Sequence, residues 1–174
     1  SDTFTISVLA RAGSRYETVG QRGYAHLMEH MLTKGTNSKP SAFAIGLITD
    51  RAGALYNAST NAERVQVYIQ AARTTDEQMI SLIADMVINP AFNPDTLENE
   101  KKVILQEIKE SQDNESSRLY METASRIFSG HPLERHPLGK IEDIQIATAE
   151  KLRAYHAKFF VANNMVVVIN GGVS

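Results

Sequence analysis

The chain has 174 residues, of which 43% are hydrophobic, with a formal net charge of −2 and no cysteine. That length can bury ~70% of the unfolded surface. Disulfides and thiolate metal ligands are excluded, and no apolar run is long enough to cross a membrane. Lysines and arginines are dispersed among acids, so there is no basic footprint and no nucleic-acid partner is expected.

In chain order, TFTISVLA alternates apolar and polar residues as a half-buried strand does, with Phe4, Ile6 and Val8 on one face. No basic and apolar leader precedes it, so a targeting segment is expected to be absent or removed, and the compartment stays open. After a loop, GYAHLMEHMLTKGT predicts a largely buried helix, with Ala25, Leu27, Met28, Met31 and Leu32 around polar residues and Gly35 as a stop. A second helix is expected from about Ser41 to Arg51, ended by Gly53. LYNAST and RVQVYIQA then read as a hairpin-like pair of strands, with Val65, Val67 and Ile69 alternating.

Thr75 and Gln78 have the spacing of a capping box, opening a helix that carries Met79, Leu82, Ile83 and Met86 and stops at Asn89-Pro90. Asn93-Pro94 reads as an N-cap and first-turn proline of a long acidic helix. Another helix is expected over about Ser116 to Phe128, then a Gly- and Pro-rich loop, a helix from Thr148 and the strand MVVVIN. The order implies an α+β fold without internal repeats.

The chemistry concentrates in HLMEH. Residues four apart on a helix are rotated by ~40° and separated by ~6 Å, so His26 and His30 can present ring nitrogens to one ion. Glu29 lies beside them, where a carboxylate can take a proton from a metal-activated water. A solvated polar face is the alternative, but the helix is too apolar for it, and unpaired buried polar groups cost ~1–3 kcal/mol each.

Zinc usually takes a third protein ligand. In LENEKKVILQEIKES, Glu100 and Glu107 are two turns apart on one face, near Leu97, Ile104 and Ile108. These two carboxylates are expected to point inward, whereas Lys101, Lys102, Lys109 and Glu110 look solvent-directed. An ordinary acidic helix would show the same pattern. His131 and His136, in GHPLERHPLG, read as turn or surface residues, and His156 as a packed or hydrogen-bonded one.

Taken together, HLMEH, the KGT that follows at Lys34 to Thr36, GALYNAST at Gly53 to Thr60, the Glu100 and Glu107 pair, and HPLGKIEDI resemble the pitrilysin/insulinase-type zinc metallopeptidases, which include the mitochondrial processing peptidases. The resemblance covers nearly the whole chain. It implies a mainly antiparallel β-sheet packed against α-helices, and one Zn2+ ion held by His26, His30 and Glu107, the last lying 77 residues after His30. It also implies Glu29 as general base, Glu100 orienting a ligand histidine through its other ring N–H, and peptide bound as an added strand beside NAST, with Asn57 and Ala58 as candidate contacts.

The expected activity is zinc-dependent endopeptidase hydrolysis of extended peptides or unfolded segments. The alternative is a non-catalytic peptide-binding or structural subunit of the same fold, which typically lacks part of the metal set. S-ribosylhomocysteine lyases also carry an inverted motif, but their third ligand is a cysteine. Residues 1–174 are expected to form a zinc-bearing domain incomplete at both ends, working with a second, similarly folded half or subunit.

Overall fold

The computed structural model of the protein describes residues 2 to 173. Four antiparallel strands, β1 (Thr3–Ala10), β2 (Leu55–Thr60), β3 (Val65–Ala72) and β4 (Met165–Gly171), form one sheet in the order β2-β3-β1-β4. Seven α-helices accompany it among the described residues: α1 (Tyr24–Thr33), α2 (Ala42–Arg51), α3 (Asp76–Ile88), α4 (Pro94–Asp113), α5 (Glu115–Ile127), α6 (Ile141–Gln145) and α7 (Ala149–Phe159). The α+β architecture expected from the sequence is therefore the one observed.

Alternation decides which sheet face is buried. Phe4, Ile6 and Val8 of β1, and Val65, Val67 and Ile69 of β3, lie in register on the inner face and are buried. Helices α1 and α3 pack on this face, and α4 and α7 pack on α1 in turn. The hairpin is confirmed, with Thr60 opposite Val65. β4 is different: Val167 and Ile169, opposite Val8 and Ile6, remain 58% and 44% exposed, so the core stops short of this edge strand.

Side chains cap three of the expected helix starts, Asn93 as the expected cap and Ser41 and Thr148 at the expected starts of their helices. Ser41, Asn93 and Thr148 accept the amides of Ala44, Thr96 and Lys151. Thr75 does not. A 3-10 turn over Arg73–Thr75 turns its hydroxyl back to the Ala72 carbonyl (2.9 Å), so the capping box predicted there does not form. The short helix α6 falls within the stretch read from the sequence as loop, because five residues show too little periodicity.

Lys101 departs from its expected place as well. Expected toward solvent, it is only 8% exposed, with Nζ donating to Glu98 Oε1 (2.8 Å) and to the Ala147 carbonyl (3.2 Å). The segment before α7 folds over this side of α4 and supplies the acceptor, which no pattern within α4 could announce.

Asp85 on α3 anchors the turn after α1. Its Oδ2 accepts from Thr36 Oγ1 and Ser38 Oγ, both at 2.6 Å, and from Lys39 Nζ at 3.2 Å, while Oδ1 accepts from Asn89 Nδ2 at 3.0 Å. Burial alone would raise its pKa, but these donors outweigh it and hold the carboxyl well below the usual carboxylate range. A depressed folded pKa gives stability that is present above the unfolded value of 3.8 and lost as pH falls below it. Asp85→Asn is therefore expected to lower the melting temperature at neutral pH, with the gap to the parent closing as pH drops below about 4. Melting curves across this range check it; a gap that stays constant into strong acid would show that the carboxylate charge is not what anchors the turn.

Candidate metal centre

Helix α1 is anchored by Leu27, Met28, Met31 and Leu32, all at most 2% exposed, each contributing ~1.5–3 kcal/mol on burial. That anchorage lets its other face carry His26, Glu29 and His30, all half-buried. Across from it, α4 buries Leu97, Ile104 and Ile108 and brings Glu107 against the two rings.

His26 Nε2 lies 3.6 Å from Glu107 Oε2, and His30 Nε2 lies 3.9 Å from the same oxygen. The two rings are 4.7 Å apart between centroids and nearly perpendicular. One ligand atom from each residue falls within 4.8 Å of the others. Around a tetrahedral zinc with ligand bonds of ~2.0–2.1 Å, donor atoms stand ~3.3–3.4 Å apart, so a small contraction would close the set on an ion.

One orphaned atom supports the fit: Glu107 Oε2 is buried with no hydrogen-bond partner. An unpaired buried carboxylate oxygen facing two imidazole nitrogens is costly, and a shared cation removes the cost. Burial, helped by neighbouring His30 and His136, lowers the His26 pKa to about 4, so its ring is neutral at pH 7 with a lone pair to offer.

Glu100 holds the second ring. Its Oε2 accepts from His30 Nδ1 at 2.8 Å and its Oε1 from Lys34 Nζ at 2.9 Å. Burial pushes this carboxyl up, but the bonds from His30 and Lys34 overcome it and hold it low. With Nδ1 donating to Glu100, the lone pair of His30 sits on Nε2, facing Glu107. Lys34 had no assigned role from the sequence, although its place four residues after His30, one turn along the same face, was a usable signal.

Glu29 faces the hairpin. Burial raises its pKa, opposed by the nearby Thr60 hydroxyl and by His30, and supported by Glu107. Thr60 also approaches the Ala25 carbonyl at 3.4 Å, joining β2 to α1. Asn57 and Ala58 lie on the same edge strand, without a hydrogen bond to any residue of the metal cluster. Asn57 is exposed, and its Oδ1 accepts the backbone N–H of Ala58 at 2.8 Å.

The remaining histidines behave as turn and packing residues. The Nδ1 atoms of His131 and His136 accept the amides of Leu133 and Leu138, and His156 Nε2 sits 2.7 Å from the Val87 carbonyl. An open pocket of about 510 Å³, lined by Ile108, Met121, His136 and Leu138 among others, contains none of the three clustered residues.

Residues 1–140 match the family described as Insulinase (Peptidase family M16). The chain is 33% identical over 172 residues to an uncharacterized zinc protease of Rickettsia bellii, covering 99% of this chain and 42% of that protein. It is 31% identical over 174 residues to the probable mitochondrial-processing peptidase subunit beta of Schizosaccharomyces pombe, covering 100% and 38%. Among solved structures, a protease from Helicobacter pylori superposes with a TM-score of 0.93 at 24% identity, over 100% of this chain and 42% of that one. The chain thus spans about two-fifths of the length of these curated relatives.

Proposed function

Since the chain belongs to the insulinase family of peptidases, M16, we propose that it is the zinc-bearing domain of an endopeptidase acting on extended peptides or unfolded segments. The observation that carries this reading is the convergence of two imidazole nitrogens and one unpaired carboxylate oxygen, with a further carboxylate, Glu29, on the same helix face.

His26, His30 and Glu107 would hold a single zinc ion, which when bound supplies Lewis acidity toward the scissile carbonyl and lowers the pKa of water. Glu29 takes the proton of the attacking water and returns it to the leaving amine, its raised pKa suiting both transfers. Glu100 keeps His30 in the tautomer that points Nε2 inward.

Peptide is proposed to lie along β2, an edge strand of the sheet whose neighbour on one side is β3. A free strand edge offers backbone groups to any extended chain, which gives affinity with little dependence on sequence. Asn57 covers the Ala58 amide with its own side-chain oxygen, so swinging away would hand that donor to a substrate carbonyl. A second, similarly folded half or subunit is proposed to close over this edge. Support comes from apolar side chains left in the open at this edge, Leu55 on β2 and Phe43 and Leu47 on α2, which packs against β2.

The test follows cleavage of a quenched fluorescent peptide by the protein carrying this chain, through chelation and return of one equivalent of zinc, with size-exclusion fractions assayed separately. Activity is expected to vanish and return, and to belong to fractions containing both halves. Chelator-insensitive cleavage would sink the zinc reading, and full activity of this chain as a monomer would sink the two-half reading.

A further inference from the structure

The helix that carries HLMEH begins where water cannot reach it. Tyr24 and Ala25 are fully buried, and the residue before them, Gly23, has a left-handed backbone and no side chain to cap the helix. The first amides of a helix have no partner within it and must find one elsewhere. That of Tyr24 bonds the Gln21 carbonyl at 3.0 Å. Those of Gly23 and Ala25 both go to Glu17: Gly23 N–H donates to Oε2 at 2.9 Å and Ala25 N–H to Oε1 at 2.8 Å.

One side chain, 1% exposed, thus closes the first turn with both carboxyl oxygens. Its backbone is held in turn. Arg135 Nη1 donates to the Glu17 and Arg15 carbonyls, and Ser14 Oγ donates to the Arg135 carbonyl at 2.8 Å. On the other side of the turn, Asp143 accepts the amides of Gly20 and Arg22 at 3.1 and 2.9 Å, so the loop entering α1 is fixed at both ends.

We infer that Glu17 is a positioning residue for the metal centre: by gripping two amides of the first turn, it sets the axial position and rotation of α1, and so aims His26 and His30 at Glu107. His26 immediately follows the gripped Ala25. A slip of one residue along a helix turns every side chain by ~100° and moves it ~1.5 Å, enough to take both Nε2 atoms away from Glu107. The inference rests on the reading of His26, His30 and Glu107 as the zinc site.

A purely structural role would make Glu17 no different from any buried residue of equal stabilising effect. The experiment therefore compares Glu17→Ala with Phe4→Leu, a core change at the far end of β1, both assayed at a temperature where each is fully folded. Zinc affinity is read by chelator competition. Glu17→Ala is expected to bind zinc ~10–100-fold more weakly, the range seen when a residue orienting metal ligands is lost, while Phe4→Leu keeps its affinity. Equal affinities in the two variants would overturn the inference.

Amide hydrogen exchange of the unsubstituted, metal-free protein gives a second reading that needs no variant to fold. The Gly23 and Ala25 amides are expected to exchange as slowly as those in the middle of α1, and fast exchange at both would overturn the grip itself. Glu107→Gln, measured alongside, separates the two ideas. If it binds zinc as tightly as the parent, the zinc-site reading fails; if it loses zinc while Glu17→Ala does not, only the positioning role fails.

Discussion

Glu29→Gln is expected to keep its zinc and lose its chemistry. The amide is nearly isosteric, so the helix face and the neighbouring histidines should stay in place. What it cannot do is accept a proton. General-base catalysis of this kind is worth ~10²–10⁴-fold, and turnover of a quenched peptide should fall by that much while metal content and peptide binding are retained. Near-parental turnover by a folded, zinc-loaded variant would remove Glu29 from the reaction.

The second large effect is expected on metal affinity. Glu107→Gln replaces the only carboxylate oxygen among the described residues aimed at both Nε2 atoms with a neutral ligand, leaving two imidazoles to hold a dication. Zinc binding should weaken beyond the ~10–100-fold typical of losing a residue that only orients a ligand. Glu100→Gln supplies that comparison, since Glu100 touches His30 at Nδ1, on the far side of the ring from Nε2. Chelator competition on the two variants ranks them. The reverse order would exchange the roles of the two glutamates.

Helical periodicity alone leaves that exchange open, and in the sequence it is the family resemblance that assigns Glu107 as ligand and Glu100 as the orienting carboxylate. Glu100 and Glu107 are two turns apart on one face, and periodicity treats them alike; only the packing of α4 on α1 sends one to Nδ1 and the other to Nε2. HLMEH was legible because its geometry is local, four residues on a single helix. The strands were legible for the same reason, with Phe4, Ile6, Val8, Val65, Val67 and Ile69 marking one face by simple alternation.

What escaped was contact between distant segments. Lys101 looked like a surface charge until the Ala147 carbonyl came down on it. Glu17 and Arg135 are ordinary loop residues in sequence and meet only because two loops fold against each other. Thr75 had the spacing of a cap, yet its hydroxyl donates to the Ala72 carbonyl and accepts no helix amide.

The separation of α1 from α4 along the chain has a consequence for the polymer as a whole. His30 and Glu107 are 77 residues apart, and bringing such distant points together in an unfolded chain costs on the order of 4–5 kcal/mol in loop-closure entropy. The folded protein has already met that cost through its core, so an ion of modest intrinsic affinity would still discriminate strongly between folded and unfolded forms. By mass action it would then add RT ln(1 + [L]/Kd) to the stability of the fold, about 2.7 kcal/mol at a free concentration one hundred times Kd. The centre would in that case act as a staple for the domain, and depriving the protein of metal would loosen its architecture along with its activity.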